Sequence, residues 1–253
     1  MHSIRWPALL LSLFLLIPGA SFAAPATPAT PSTPAGGEAD YQTGLKLWQE
    51  NRRADAMPHW LKAAEQGHIK AAYGVALMHN TYKDADMKVA ARWFRVAADG
   101  GIAPAMHSLG IFYLNGLGGL AANEPLAIEW LQKSAAAGET EAMVMMAALH
   151  DEGRGVAKDP AASLRWNVAA AEKGHPIALT TLGLALLQGT RGAQVNPQKA
   201  IPLLQDAARQ GSVDAMRILA KVYEQGFGVP ADPAQSANWA KRAAACGDQI
   251  ICQ

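Results

Sequence analysis

The chain has 253 residues, with 22 Lys or Arg against 21 Asp or Glu and a formal charge of +1. That balance excludes nucleic acid as the main partner, because phosphate recognition needs a clustered excess of cations. Half of the residues are hydrophobic but only 7% are aromatic, and Ala, the best helix former, is abundant, so the composition predicts an all-α fold.

Residues 1–23 read as a secretory signal peptide. Arg5 gives a positive start, Leu9 to Ile17 is an apolar run broken only by Ser12, and Ser21-Phe22-Ala23 supplies small residues for cleavage after Ala23. The apolar run is about half the ~20 residues that a membrane-spanning helix needs, which disfavours an uncleaved anchor and predicts no stable membrane span. No Cys lies near the cleavage site to suggest a lipoprotein. Residues 24–40 follow as a linker, with Pro at nearly every third position over APATPATPSTPAGG.

From Tyr41 an internal repeat takes over. Ala-Ala-x-x-Gly segments, or near matches such as Ser134-Ala135-Ala136-Ala137-Gly138, close on Gly67, Gly101, Gly138, Gly174, Gly211 and Gly247, spaced 34, 37, 36, 37 and 36. A large apolar residue precedes each, at Trp60, Trp93, Trp130, Trp166, Leu203 and Trp239. Seven residues before the last five stand Asp86, Asn123, Asp159, Asn196 and Asp232. Their side-chain oxygens suit helix N-caps, and Pro160, Pro197 and Pro233 follow at the first helical position, where Pro is tolerated. The closing glycines suit left-handed C-caps. A second glycine series, Gly116, Gly153, Gly189 and Gly226 with Asn80 in register, ends a preceding helix in each unit. Gly74, Gly110 and Gly183 fall mid-helix, where each costs about 1 kcal/mol against Ala, so close approach of a paired helix is expected there. The pattern predicts units at 41–67, 69–101, 104–138, 141–174, 177–211 and 214–247, with 248–253 as a tail.

The unit Ala-x-x-x-Leu-Gly-x-x-Tyr-x-x-Gly-x-Gly-Val-x-x-Asp-Pro, followed by Trp, Ala-Ala and Gly, resembles the Sel1-like repeat (SLR) family, a relative of the tetratricopeptide repeats. Ala142 to Gly174 and Ala215 to Gly247 match best, and the resemblance covers about Tyr41 to Gly247. The first unit is short and lacks Gly-x-Gly-Val, His150 and Leu186 replace the Tyr, and Leu203 replaces the Trp. The resemblance implies an α/α superhelix, a solenoid of about six antiparallel helix pairs, and a role in protein–protein interaction at the bacterial envelope. It also implies a concave surface lined by first helices.

Sites of chemistry are scarce. Trp60, Trp93, Trp130, Trp166 and Trp239 lie on the lattice and are read as core. Among His59, His68, His79, His107, His150 and His175, no pair has a zinc-ligand spacing, so no metal or cofactor is expected. The Gly-x-Gly-Val pieces at Gly153 and Gly226 are read as turns, since neither follows a strand nor carries Lys-Ser/Thr. No Gly-x-Ser-x-Gly or Ser-x-x-Lys is present, and the protein is read as a non-enzyme. Cys246 and Cys252 are read as a disulfide in an oxidising compartment, with free thiols as the alternative.

Register gives the candidate partner-binding residues on the concave face: His107, Ile111, Leu114 and Asn115; Met145, Ala148 and Asp151; Thr181, Leu184 and Gln188; Arg217, Lys221 and Glu224. An apolar stripe with polar flanks suits a peptide or helical segment of a protein partner. The expectation is an adaptor in the periplasm or secreted. Two alternatives stand beside it. One is a β-lactam-binding or hydrolase-like protein, which cysteine-rich relatives suggest although this chain lacks their per-repeat cysteine pairs. The other is a protein associated with peptidoglycan or polysaccharide of the cell wall.

Overall fold

The computed structural model describes residues 36–81, 86–247 and 250–252. The expected signal peptide, most of the linker and part of the tail lie outside the described residues. Twelve helices are present among those described: α1 (Glu38–Gln49), α2 (Arg53–Glu65), α3 (Ile69–Thr81), α4 (Met87–Asp99), α5 (Ala103–Asn115), α6 (Glu124–Ala136), α7 (Thr140–Glu152), α8 (Pro160–Glu172), α9 (Pro176–Gln188), α10 (Pro197–Arg209), α11 (Val213–Gln225) and α12 (Pro233–Ala245). Each odd-numbered helix pairs with the even-numbered helix after it, and that one packs on the first helix of the next unit. No described helix is long and apolar enough to cross a membrane.

The punctuation expected from sequence forms these helices. Asp86, Asn123, Asp159, Asn196 and Asp232 each accept backbone N–H bonds in the first turn of their helix. Gly116, Gly153, Gly189 and Gly226 end α5, α7, α9 and α11 in the left-handed conformation. Asn80, in the same register, lies within α3. The array starts three residues before the expected boundary, at Glu38. Gly37 adopts φ 90 there and its carbonyl accepts from the Tyr41 N–H at 2.8 Å. Glu38 and Asp40 in the first turn suit the positive end of the helix dipole.

The two helices of a unit are tied by a main-chain bond. The N–H groups of Asn123, Asp159, Asn196 and Asp232 donate to the carbonyls of Tyr113, His150, Leu186 and Tyr223, at 2.8–2.9 Å. Because the acceptor is backbone, replacing Tyr by His150 or Leu186 leaves the closure intact. Where Tyr is kept, its hydroxyl reaches the previous unit: Arg95 donates to the Tyr113 oxygen, and Gln205 Nε2 to the Tyr223 oxygen at 3.1 Å.

Mid-helix glycines mark the closest approaches. A Cβ at Gly110 would lie 2.8 Å from Leu131 Cγ, and one at Gly183 2.7 Å from Leu204 Cγ, so α5 and α9 pack tightly on their own partners. Gly74 instead meets the previous unit: its Cβ would stand 2.8 Å from Cε3 of the Trp60 ring, and one at Gly44 would stand 2.4 Å from Cδ1 of the same ring. Further along, Phe94 joins Tyr73 and Phe112 at centroid distances of 6.2 and 5.4 Å. Trp60, Trp93 and Trp130 are buried as expected, but Trp166 and Trp239 are only half-buried. For Trp239 the cause is position, since α12 is the last described helix and no described unit covers it. Nothing in the structure explains the exposure of Trp166.

Cys246 and Cys252 form the expected disulfide, with Cα atoms 5.4 Å apart. The tail folds back on the turn before α11. There Cys252 donates to the Gly211 carbonyl at 2.7 Å, and Val213 donates to that of Ile250 at 3.1 Å.

Candidate functional site

First helices of successive units touch directly where α11 meets α9. Between them lies a cleft of about 310 Å³. α9 contributes Leu184, Leu187 and Gln188. α11 contributes Ile218, Lys221, Val222 and Gln225, and the turn after it adds Phe227, which is 41% exposed. The walls are apolar, and Lys221 places a cation at the rim.

Of the residues expected to bind a partner, Leu184, Gln188 and Lys221 meet in this cleft. Arg217 and Glu224 are exposed but stand outside it. The reason is register: 218, 221 and 225 stand 37 residues after 181, 184 and 188, so Arg217 and Glu224 are each one position off. Arg217 bonds to Asp214 and to the Gly247 carbonyl, both at 3.2 Å. Ile218 and Gln225 occupy the corresponding positions instead. The repeat period could have found both, whereas Phe227 announces itself only as a large apolar residue inside a glycine turn.

Three other expected contacts have structural jobs. Leu114 is 5% exposed and belongs to the core, a correction to its placement on a free face. Its carbonyl accepts from Arg154 at 2.7 Å, and the same guanidinium reaches the Asn115 amide oxygen and Glu124, both at 3.3 Å. Asp151 is ion-paired with Arg191 at 2.9 Å, and that pair holds its carboxyl below the ordinary range against the opposing effect of burial. His107, Ile111, Met145, Ala148 and Thr181 are half-buried on the first helices.

On the N-terminal halves of neighbouring first helices sits an acid–imidazole group of which only His107 was among the expected residues. Burial pushes the Glu139 carboxyl up to about 7, reinforced by a hydrogen bond and charge repulsion from Glu141. Glu141 is held low, chiefly by the hydrogen bond from Glu139. Burial lowers His107 and His175 while the Glu141 charge opposes it, and burial with both carboxylates raises Tyr73. The signal lay in the period, because His175 follows Glu139 by one repeat in the same N-cap position. Among the described residues, no group of three or more His, Cys, Asp or Glu is placed to hold a metal ion.

Comparison with known proteins decides the family. The Sel1 repeat model matches six consecutive segments, at residues 54–68, 69–102, 103–139, 140–175, 176–212 and 213–248. The chain belongs to the Sel1 repeat family. Its units generally serve as protein-interaction scaffolds. Among solved structures, a Sel1 repeat protein from Oxalobacter formigenes is 27% identical, with a TM-score of 0.72 over 82% of this chain and 85% of that one. A protective antigen present in uropathogenic Escherichia coli strains, displaying an SLR fold, is 25% identical, with a TM-score of 0.74 over 83% of this chain and 46% of that one. Chitin synthase regulatory factor 3 of Schizosaccharomyces pombe is 26% identical over 230 residues, covering 73% of this chain. The chain spans about a quarter of that relative's length.

Proposed function

We propose that this Sel1 repeat protein is a non-catalytic scaffold of the bacterial envelope, exported through residues 1–23, that holds a segment of a protein partner along its first-helix face. The α9/α11 cleft carries the reading. It is large enough for one or two apolar side chains, its walls are Leu184, Ile218 and Phe227, and Lys221 at the rim favours an acidic neighbour in the bound segment. Export is supported by the layout of the first 23 residues and by the Cys246–Cys252 disulfide, which persists in an oxidising compartment.

Site-specific photocrosslinking in intact cells tests this. A photoreactive residue at Gln188 is expected to trap one protein partner, and Leu184→Glu is expected to abolish the adduct. The same probe at Ala244 on α12 serves as the control. No protein adduct at Gln188, or equal adducts at both positions, would overturn the reading. Fractionation gives the location, with processed protein expected in the periplasm or the medium. Finding it in the cytoplasm would reject export.

A further inference from the structure

A second recess lies away from the first-helix cleft, where α4 meets α5 and the turn after it. It has a volume of about 260 Å³ and is lined by Lys88, Arg92 and Arg95 from α4, with Leu109, Tyr113 and Gly118 opposite. Spacings of four and three residues put the three cations on one face of α4. None of them makes an ion pair with a described residue. The lattice does not ask for all three, since the same positions hold Pro125, Glu129 and Gln132 in α6, Ala161, Arg165 and Val168 in α8, Gln198, Pro202 and Gln205 in α10, and Ala234, Asn238 and Lys241 in α12, at most one cation in each. Three cations on one face of a helix repel one another, and a bound anion would relieve that repulsion.

The recess is also ordered. Arg95 donates to the Tyr113 hydroxyl oxygen and lies 5.4 Å from the centroids of both the Tyr113 and Trp130 rings. The Tyr113 hydroxyl, accepting from Arg95, keeps its own hydrogen to give. Gly118 turns in with φ 62, and a Cβ there would stand 2.7 Å from that of Ala91 and 2.4 Å from the Met87 carbonyl oxygen, so the turn closes against α4.

We propose that this recess binds a phosphate group, with Arg92 and Lys88 supplying charge and Arg95 and Tyr113 a positioned base. A carboxylate carries one charge on two oxygens. A phosphate monoester carries nearly two on three acceptor oxygens, which better matches three cations and a hydroxyl.

The test uses the full chain. Thermal unfolding in sodium phosphate is compared with sodium chloride and with sodium succinate at matched ionic strength. Phosphate is expected to raise Tm above both salts, and the Lys88→Gln/Arg92→Gln double variant, altered only at exposed positions, is expected to lose that increment while keeping its Tm in chloride. No increment, an equal one in succinate, or one that survives in the variant would overturn the proposal. Flotation with phosphatidic acid and phosphatidylcholine vesicles distinguishes the source of the phosphate, because phosphatidic acid presents a phosphate monoester. Recruitment to phosphatidic acid alone, lost in the double variant, assigns a lipid headgroup. Absence of recruitment alongside the phosphate increment assigns a soluble phosphate ligand.

Discussion

Trp60 shows how much one side chain can demand of its neighbours. Gly44 meets its five-membered ring and Gly74 its six-membered ring, so each helix carries a helix-weakening residue where the indole packs. Gly74→Ala would improve local propensity by about 1 kcal/mol, yet it drives a Cβ to 2.8 Å from the ring. Overpacking of this kind costs ~1–3 kcal/mol and should win, giving a lower midpoint in urea. The buried Trp130 and the half-buried Trp166 offer a graded comparison. Trp130→Ala should cost roughly 3–5 kcal/mol and Trp166→Ala distinctly less, because less of its surface leaves water. Equal losses would contradict the burial difference. Glu139 makes the third residue-scale case. Its folded pKa, about 7, exceeds the ordinary value of 4.5. The stability it contributes is therefore full below about 4.5 and is lost as pH rises through about 7. Glu139→Gln keeps the hydrogen bond to Glu141 without the charge. It should flatten the dependence of Tm on pH across that window and raise Tm at pH 8 more than at pH 4.

At the scale of the element, each second helix starts at one residue, and that residue does two things. Asp159 accepts from the Ala161 and Ala162 N–H groups with its side chain and donates its own N–H to the His150 carbonyl. Asp159→Ala should cost about 1 kcal/mol through the first task alone, because the second is main chain and survives. Amide exchange should then quicken in the first turn of α8 and not at its C-terminal end. The caps, the closing glycines and the helix order were legible in the sequence because each rests on local chemistry repeated in register. The cleft was only half legible. Leu184, Gln188 and Lys221 followed from helix periodicity, but in α11 the chosen stripe slipped by one residue and took Arg217 and Glu224 for Ile218 and Gln225. Leu114 and Asp151 are engaged by side chains that local sequence does not reveal. Arg154 and Arg191 come from the next unit's turn, about forty residues on, and no local pattern announces such a reach.

At the scale of the whole array, the described helices have unequal ends. α1 presents Gln42, Thr43, Lys46 and Gln49 to solvent. At the other end the position held by Phe94, Leu131 and Leu204 in earlier units, all wholly buried, has become the exposed Ala240. The shrinkage limits apolar surface at the last described helix. The disulfide then staples the tail beside the last turn. Replacing Cys246 and Cys252 by Ser should cost about 2 kcal/mol in the chain-entropy model, and the loss should appear first as faster amide exchange at Val213 and Cys252. The alternation of 36- and 37-residue spacings has its origin in a single place. From α2 onward every helix has 13 residues. The closing main-chain bond spans ten residues in the third and fifth units and nine in the fourth and sixth, so the extra residue sits within the turn between paired helices. That turn is therefore a seam where length can change without moving the packing surfaces. Whole units bounded there are interchangeable parts, and a gene encoding them can gain or lose copies by unequal recombination and still specify a foldable chain.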